Sequence, residues 1–258
     1  MQNKSRQFVS FMTLFKKETY RVFKLWPQTI LPPLITSSLY FLIFGTVIGS
    51  RIKEVQGVPF LLFMVPGLVM MSVIINSYMN VCSSFFIAKF QKSIEELLVS
   101  PISYHSIIFG YTLAGVFRSM CVSLFIVLIS KSFISYDFHN LVYLTLFSVL
   151  TAVLFSLIGL INAIFAVKFD DINIVTTFVL TPLTYLGGVF YSIDQISSSW
   201  KFFVLINPIF YLVNGLRYSF LGISDVAVGQ ALLVLCFSIF VFYSISYTLL
   251  KKGVGLRP

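Results

Sequence analysis

The chain reads as an all-α, polytopic membrane protein with six transmembrane helices, and three observations lead there. Only 10% of its 258 residues are charged and 58% are hydrophobic, against about 25% charged in a soluble domain; mean hydropathy is +0.94. Long charge-free runs recur along it, several beyond the about 20 residues that cross a bilayer as a helix. Basic residues gather in short segments between these runs, the pattern that orients a polytopic protein. The formal charge of +9 therefore reads as orientation in a membrane rather than as a nucleic-acid surface.

Taken in order, residues 1–27 predict a basic amphipathic helix lying on the membrane surface. Phe8, Phe11, Met12, Phe15, Val22 and Phe23 recur at helical spacing, while Lys16, Lys17, Glu18, Arg21 and Lys24 take other faces. This segment is polar and basic, without the short apolar core of a cleavable signal, so the first span is expected to direct insertion. Trp26-Pro27 marks the turn into that span, and Pro32-Pro33 predicts a kink in it. The spans are expected near 28–49, 60–84, 104–130, 141–166, 172–192 and 229–249. They form a six-span core, 28–249, of one domain covering 1–258, with a tail over 250–258. The remaining apolar stretch, 205–223, is interrupted by Asn207-Pro208, Asn214-Gly215 and Gly222 and carries Arg217. It reads as an outer re-entrant hairpin, because irregular backbone at membrane depth survives only when shielded by protein or facing a cavity.

Six spans place both termini on one side. That side holds twelve basic residues: Lys4, Arg6, Lys16, Lys17, Arg21, Lys24, Lys89, Lys92, Lys168, Lys251, Lys252 and Arg257. The other holds five: Arg51, Lys53, Lys131, Lys201 and Arg217. The positive-inside rule then puts both termini, and the loop between the second and third spans, in the cytoplasm.

Catalytic patterns are sparse. His105 and His139 lie far apart, outside any metal-ligand spacing, and the G-x-x-x-x-G-K-[ST] phosphate loop does not occur. Cys82, Cys121 and Cys236 fall in apolar runs and read as small buried hydrophobes. Two carboxylate pairs, Glu95-Glu96 and Asp170-Asp171, lie in the inner loops. Neighbouring helix residues diverge, so neither pair is an acid–base dyad. The stretch 89–103, KFQKSIEELLVSPIS, reads as a short helix that Ser93 starts and Pro101 stops; Ser93 and Glu96 have capping-box spacing. Leu97 and Leu98 give it an apolar patch beside the glutamates.

Within the spans, Arg118 is the costliest residue and a functional-site candidate by default. Its expected partners are Asn76, Asn80, Asn162, backbone carbonyls or a lipid phosphate. Asn76 and Asn80 share one face of the second span, fitting either interhelical hydrogen bonds or the wall of a pathway. Gly187-Gly188 permits close backbone approach in the fifth span.

KFQKSIEELLVSPIS resembles the cytoplasmic loop of ABC-2-type transporter permeases. LTPLTYLGGVFYSI (180–193) and LINPIFYLVNGLRYSFLGISDV (205–226) resemble that family's fifth span and outer hairpin. Residues 32–52, 65–74, 83–91 and 150–166 resemble one branch of it, the YadH-like inner-membrane permeases. The resemblance covers nearly the whole chain. It implies a homodimer of six-span subunits in the inner membrane that exports an undetermined substrate. Each subunit would dock a separate ATPase, which binds the ATP and Mg, so the chain itself needs no cofactor and is not an enzyme. The loop at 93–101 would be the coupling helix, with Ser93, Glu95, Glu96, Leu97, Leu98 and Pro101 at the ATPase and Asp170 and Asp171 flanking it. Asn76, Asn80, Arg118 and Asn162 are candidates for the translocation path, and Asn207, Pro208 and Arg217 shape the outer hairpin. Two other classes fit the composition: a membrane-embedded lipid or glycan transferase, which would need an acidic or histidine cluster at a membrane face, and a non-transporting scaffold or channel.

Overall fold

A computed structural model describes residues 2–48 and 54–255, with side chains from 7–45 and 54–255. Arg51, Lys53 and Arg257, and the side chains of Lys4 and Arg6, lie outside this range. The regular elements of the described chain are helices and one two-stranded antiparallel ribbon, β1 (Glu54–Val55) with β2 (Val58–Pro59). It opens with α1 (Gln2–Lys24), a short α2 (Trp26–Thr29) and α3 (Leu31–Leu42), which runs into a π-helical turn at Ile43–Ile48. Pro32 and Pro33 lie in the first turn of α3, where a missing N–H costs nothing. They start a helix, and the break falls before them at Ile30.

After the ribbon come α4 (Phe60–Phe90), α5 (Ser93–Val99), α6 (Tyr104–Phe133) and α7 (Leu141–Phe165). Then follow α8 (Phe169–Val175), a π-helical turn at Thr176–Leu180, and α9 (Thr181–Leu186). The last elements are α10 (Ser198–Ile206), α11 (Pro208–Leu221) and α12 (Val228–Lys252). Among the described residues, five helices are long and apolar enough to cross a membrane: Trp26–Gly45, α4, α6, α7 and α12. The expected span near 172–192 is not one of them. There the helix passes through a π-helical turn and ends at Leu186, so Gly187 and Gly188 form a turn rather than part of a span. Gly188 takes φ +78°, a left-handed conformation that favours glycine.

The organising element is α4. In its most apolar stretch 78% of residues are buried, against 11% for α12. A helix apolar on every face belongs in a core, and α4 packs against α6, α7 and α11. Helix α12 instead turns Leu233, Phe237 and Phe240 outward, as a lipid-facing helix does. Cys82 is buried in α4, but Cys236 is exposed on α12, so the expectation of three buried cysteines holds only in part.

Helix α1 departs from its expected faces. It packs along α6 through Leu14, Glu18 and Val22, all buried, while Phe8, Tyr20 and Phe23 face outward. The glutamate assigned to a polar face points inward. It pairs with Arg21 at 3.2 Å and accepts a hydrogen bond from Ser84 of α4, which satisfies a buried carboxylate.

Contacts define two ends of the bundle. At one, Gln7 of α1 reaches Pro101, Phe90 meets Phe169, and Tyr247 of α12 stacks on His105 at 4.7 Å. At the other, Gln56 of the ribbon contacts Ser192 and Asp225, and Asn140 donates its N–H to the Ser219 carbonyl.

Close approach of α4 and α7 depends on Gly159, where an added Cβ would sit 2.5 Å from the Tyr78 carbonyl oxygen. Gly159→Ala is expected to destabilise the detergent-solubilised protein by about 1–3 kcal/mol through overpacking, read as a lower thermal unfolding temperature. Gly229→Ala, at a site with nothing within 4 Å, should leave it unchanged.

Candidate functional site

The first candidate is the surface formed by α5 and α8. Helix α5 begins after Lys92, whose φ of 59° is left-handed. Ser93 is its first residue and donates its hydroxyl to the Ala88 carbonyl at 3.1 Å, so the expected capping box with Glu96 does not form. The helix stops where Ser100 becomes extended before Pro101, the conformation a following proline favours. Ile94 is buried, Leu97 and Leu98 are half-buried against the chain's own core, and Glu95 and Glu96 are exposed. Val99, at 89% exposure, is the apolar group that faces fully outward.

Long-range polar contacts hold this surface in place. The Gln7 amide donates to Pro101 O at 2.9 Å and accepts from Ser103 N at 2.7 Å. Lys89 Nζ donates to the carbonyls of Ile164 and Ala166 at 2.6 and 2.9 Å. Phe169 packs edge-on against Phe86 and Phe90 at 4.9 and 5.3 Å. The start of α8 is thereby fastened to the end of α4, beside α5. Of its two carboxylates, Asp170 is exposed and Asp171 is a helix cap, accepting from the N–H groups of Val167 and Lys168 at 2.8 and 2.9 Å. Those backbone donors hold its carboxyl below the usual carboxylate range. The cap is present at neutral pH and is lost only as the pH falls through that depressed value.

The second candidate is a cleft of about 380 Å³ between α1–α3 on one side and α4 and α6 on the other, lined by Arg21, Gln28, Asn76, Asn80, Ser83 and Arg118 among others. Asn76 and Asn80 do share a face, and each receives an arginine. Arg118 donates to Asn76 Oδ1 at 3.3 Å and to the Thr29 carbonyl at 3.1 Å. Arg21 donates to Asn80 O at 3.0 Å and to Oδ1 at 3.3 Å. Asn162 lies elsewhere, donating to Tyr78 Oη at 2.7 Å and Cys82 Sγ at 3.3 Å, and is not a partner of Arg118.

The third candidate surrounds Arg217. Asn207 caps α11 through Ile209 N and ties it to the Leu183 carbonyl at 2.6 Å, with Pro208 as the first helical residue. Asn214-Gly215, expected to interrupt this stretch, lies within the continuous α11, which ends at Gly222. The Arg217 side chain is fully buried and 3.7 Å from Asp225. It donates to Gly188 O at 2.5 Å and lies 3.9 Å above the Phe63 ring, a cation–π contact. Asp225 accepts in turn from Gln56 at 2.6 Å and Ser192 at 2.8 Å. One ion pair thus joins α11, the ribbon, the turn after α9 and α4. Arg217 is therefore not a free basic residue of a loop.

These three arrangements are braced by contacts between elements distant in sequence. The pattern of the ABC-2 type transporter family matches residues 9–221, which include α5, the Arg118 cleft and α11. The chain belongs to this family. It is 51% identical over 250 residues to the inner membrane transport permease YadH of Escherichia coli K12, covering 97% of this chain and 98% of that protein. It is 22% identical over 225 residues to nodulation protein J of Rhizobium meliloti, covering 87% and 86%. Within this ABC-2 family member, the residues that sequence reading missed are Gln7, Glu18, Gln56 and Asp225. Each of them has a partner 66 to 169 positions away.

Removing the counter-charge of Arg217 leaves a buried cation unpaired, which costs about 3–5 kcal/mol. Asp225→Asn should therefore lower the yield of folded, monodisperse protein sharply, and Arg217→Met with Asp225→Leu should recover part of it. Fluorescence-detected size-exclusion chromatography reads both.

Proposed function

We propose that this chain is the membrane-spanning permease subunit of an ATP-binding-cassette exporter in the inner membrane. It would couple ATP hydrolysis by a separate ATPase to movement of a substrate. In this reading two copies form a homodimer, both termini are cytoplasmic, and ATP and Mg belong to the partner. The stretch 172–186 serves as the sixth crossing, because Phe169, just before it, contacts α4 at the α5 end while the turn after it contacts the ribbon end. Helices α10 and α11 form the outer hairpin, α10 turning Trp200, Phe202, Phe203 and Ile206 outward at interfacial depth. Asn76, Asn80 and Arg118 remain the candidate wall of the path.

The observation that carries the proposal is that α5 and the start of α8 are both fastened to the same end of α4. Glu95, Glu96, Val99 and Asp170 project from it, with no chemistry of their own to perform. A docking surface needs an apolar centre and a charged edge, and Val99 beside the glutamates supplies both. The names of the relatives are consistent with this: one is a transport permease of the inner membrane. In the proposed mechanism the ATPase pushes on α5. Ile94, Leu97 and Leu98 pass that motion to α4 and the core, and Gln7 couples it to α1.

Exposed ion pairs contribute about 0–1 kcal/mol each, whereas burying a valine contributes about 1.5–3 kcal/mol. Val99→Asp should therefore weaken ATPase retention by roughly tenfold or more, while the permease still inserts and elutes as wild type. Glu95→Ala should reduce retention modestly and make it less sensitive to salt. Co-purification of the ATPase and permease-dependent ATP turnover across a salt series measure both; full retention in Val99→Asp would remove α5 as the docking element.

A further inference from the structure

The charge balance of the Arg118 cleft is incomplete. Of its two guanidinium groups, Arg21 is matched by Glu18 at 3.2 Å. Arg118 makes no ion pair among the described residues; its contacts are the Thr29 carbonyl and the Asn76 amide oxygen, and its Nε is buried without a hydrogen-bond partner. An arginine midway along a membrane helix is costly unless something carries the opposite charge. Neutral carbonyls do not supply that charge.

We propose that the cleft binds an oxyanion, a phosphate ester or carboxylate, against Arg118. The volume of about 380 Å³ suits a small head group, since ligand pockets run from about 300 to 1,000 Å³. The polar lining is concentrated on Arg118, Asn76, Asn80, Ser83 and Gln28, whereas Leu25, Pro32, Ile75 and Met79 are apolar. An anion attached to an apolar tail matches this division, with the head on the guanidinium and the tail along the apolar wall. The planar guanidinium fork is the side chain best shaped for such oxygens. The site lies where α1 and α2 meet α4, so its occupant would hold the N-terminal helices onto the bundle. The proposal goes beyond transport and rests on the membrane setting alone; it does not need an ATPase.

The test uses the full chain in phosphatidylcholine vesicles at high salt, where the Debye length of about 3 Å screens surface lysines. Tail-spin-labelled phosphatidylglycerol and phosphatidylcholine are compared by their motionally restricted fractions. The wild type should prefer phosphatidylglycerol by roughly tenfold at one site, as expected for hydrogen bonds to a charged group. Arg118→Gln should abolish the preference and Arg118→Lys should keep part of it. Ser83→Phe, which fills the cleft and leaves Arg118 in place, should also abolish it and serves should Arg118→Gln fail to fold. Displacement by excess inorganic phosphate would assign the site to the free anion, and no displacement to the lipid head; either supports an oxyanion at Arg118. An unchanged preference in folded Arg118→Gln or Ser83→Phe would overturn the proposal. Loss of ATPase co-purification leaves this result untouched, so the two readings fail separately.

Discussion

The rest of the structure depends on α4 accepting the polar side chains of its neighbours. A bilayer offers no water, so polar groups inside it must find partners within the protein. Asn76 takes Arg118, Asn80 takes Arg21 and Ser84 takes Glu18. Tyr78 and Cys82 take Asn162, and Phe63 lies under Arg217. Lys89, like Ser84, donates from α4, to the carbonyls of Ile164 in α7 and Ala166 just after it. One helix thereby fixes the position of α1, α6, α7 and α11. Apolar contact alone does not specify register between helices in lipid, because lipid tails are as apolar as leucine; these polar pairs do.

The two ends of the bundle are built differently. The end with α5 is held by side chains gripping backbone, Gln7 on Pro101 and Lys89 on Ile164 and Ala166, and its carboxylates and Val99 face outward. The opposite end closes around a fully buried ion pair, Arg217 with Asp225. An outward-facing surface suits a partner that binds and leaves, and a buried charge pair suits a cap that keeps its shape. The π-helical turns at Ile43–Ile48 and Thr176–Leu180 lie in the least regular helices, and such turns frequently mark functional positions.

Much of this was legible from residue order. The runs that form α4, α6, α7 and α12 are long and free of acidic residues, so hydropathy finds them. Arg118 announces itself by its cost, and its partners came from the expected set of asparagines and carbonyls. Other features were hidden for physical reasons. Periodicity assigns Glu18 to water because it reads one helix at a time, and the partner that internalises it is Ser84 on another. Ser93 and Glu96 have cap spacing, but the left-handed Lys92 directs the Ser93 hydroxyl back to Ala88. Hydropathy between Asp171 and Asp194 reads as one span of full length, yet the helix stops at Leu186 and Gly187-Gly188 turn the chain. Asp225 carries no signal in the sequence, because Gln56 and Ser192 meet it only in the folded chain.

If α5 docks an ATPase, the α5 end must face the compartment that holds it, since a docking surface outside the cell could meet no ATP-driven partner. Accessibility labelling tests this most directly. Single cysteines are placed at Lys92 and Lys201, with Cys82, Cys121 and Cys236 replaced, and intact cells are treated with a membrane-impermeant maleimide. Position 201 should label from outside, and position 92 should label only after the inner membrane is opened. Labelling of position 92 from outside would contradict the orientation and the ATPase-docking role of α5 together.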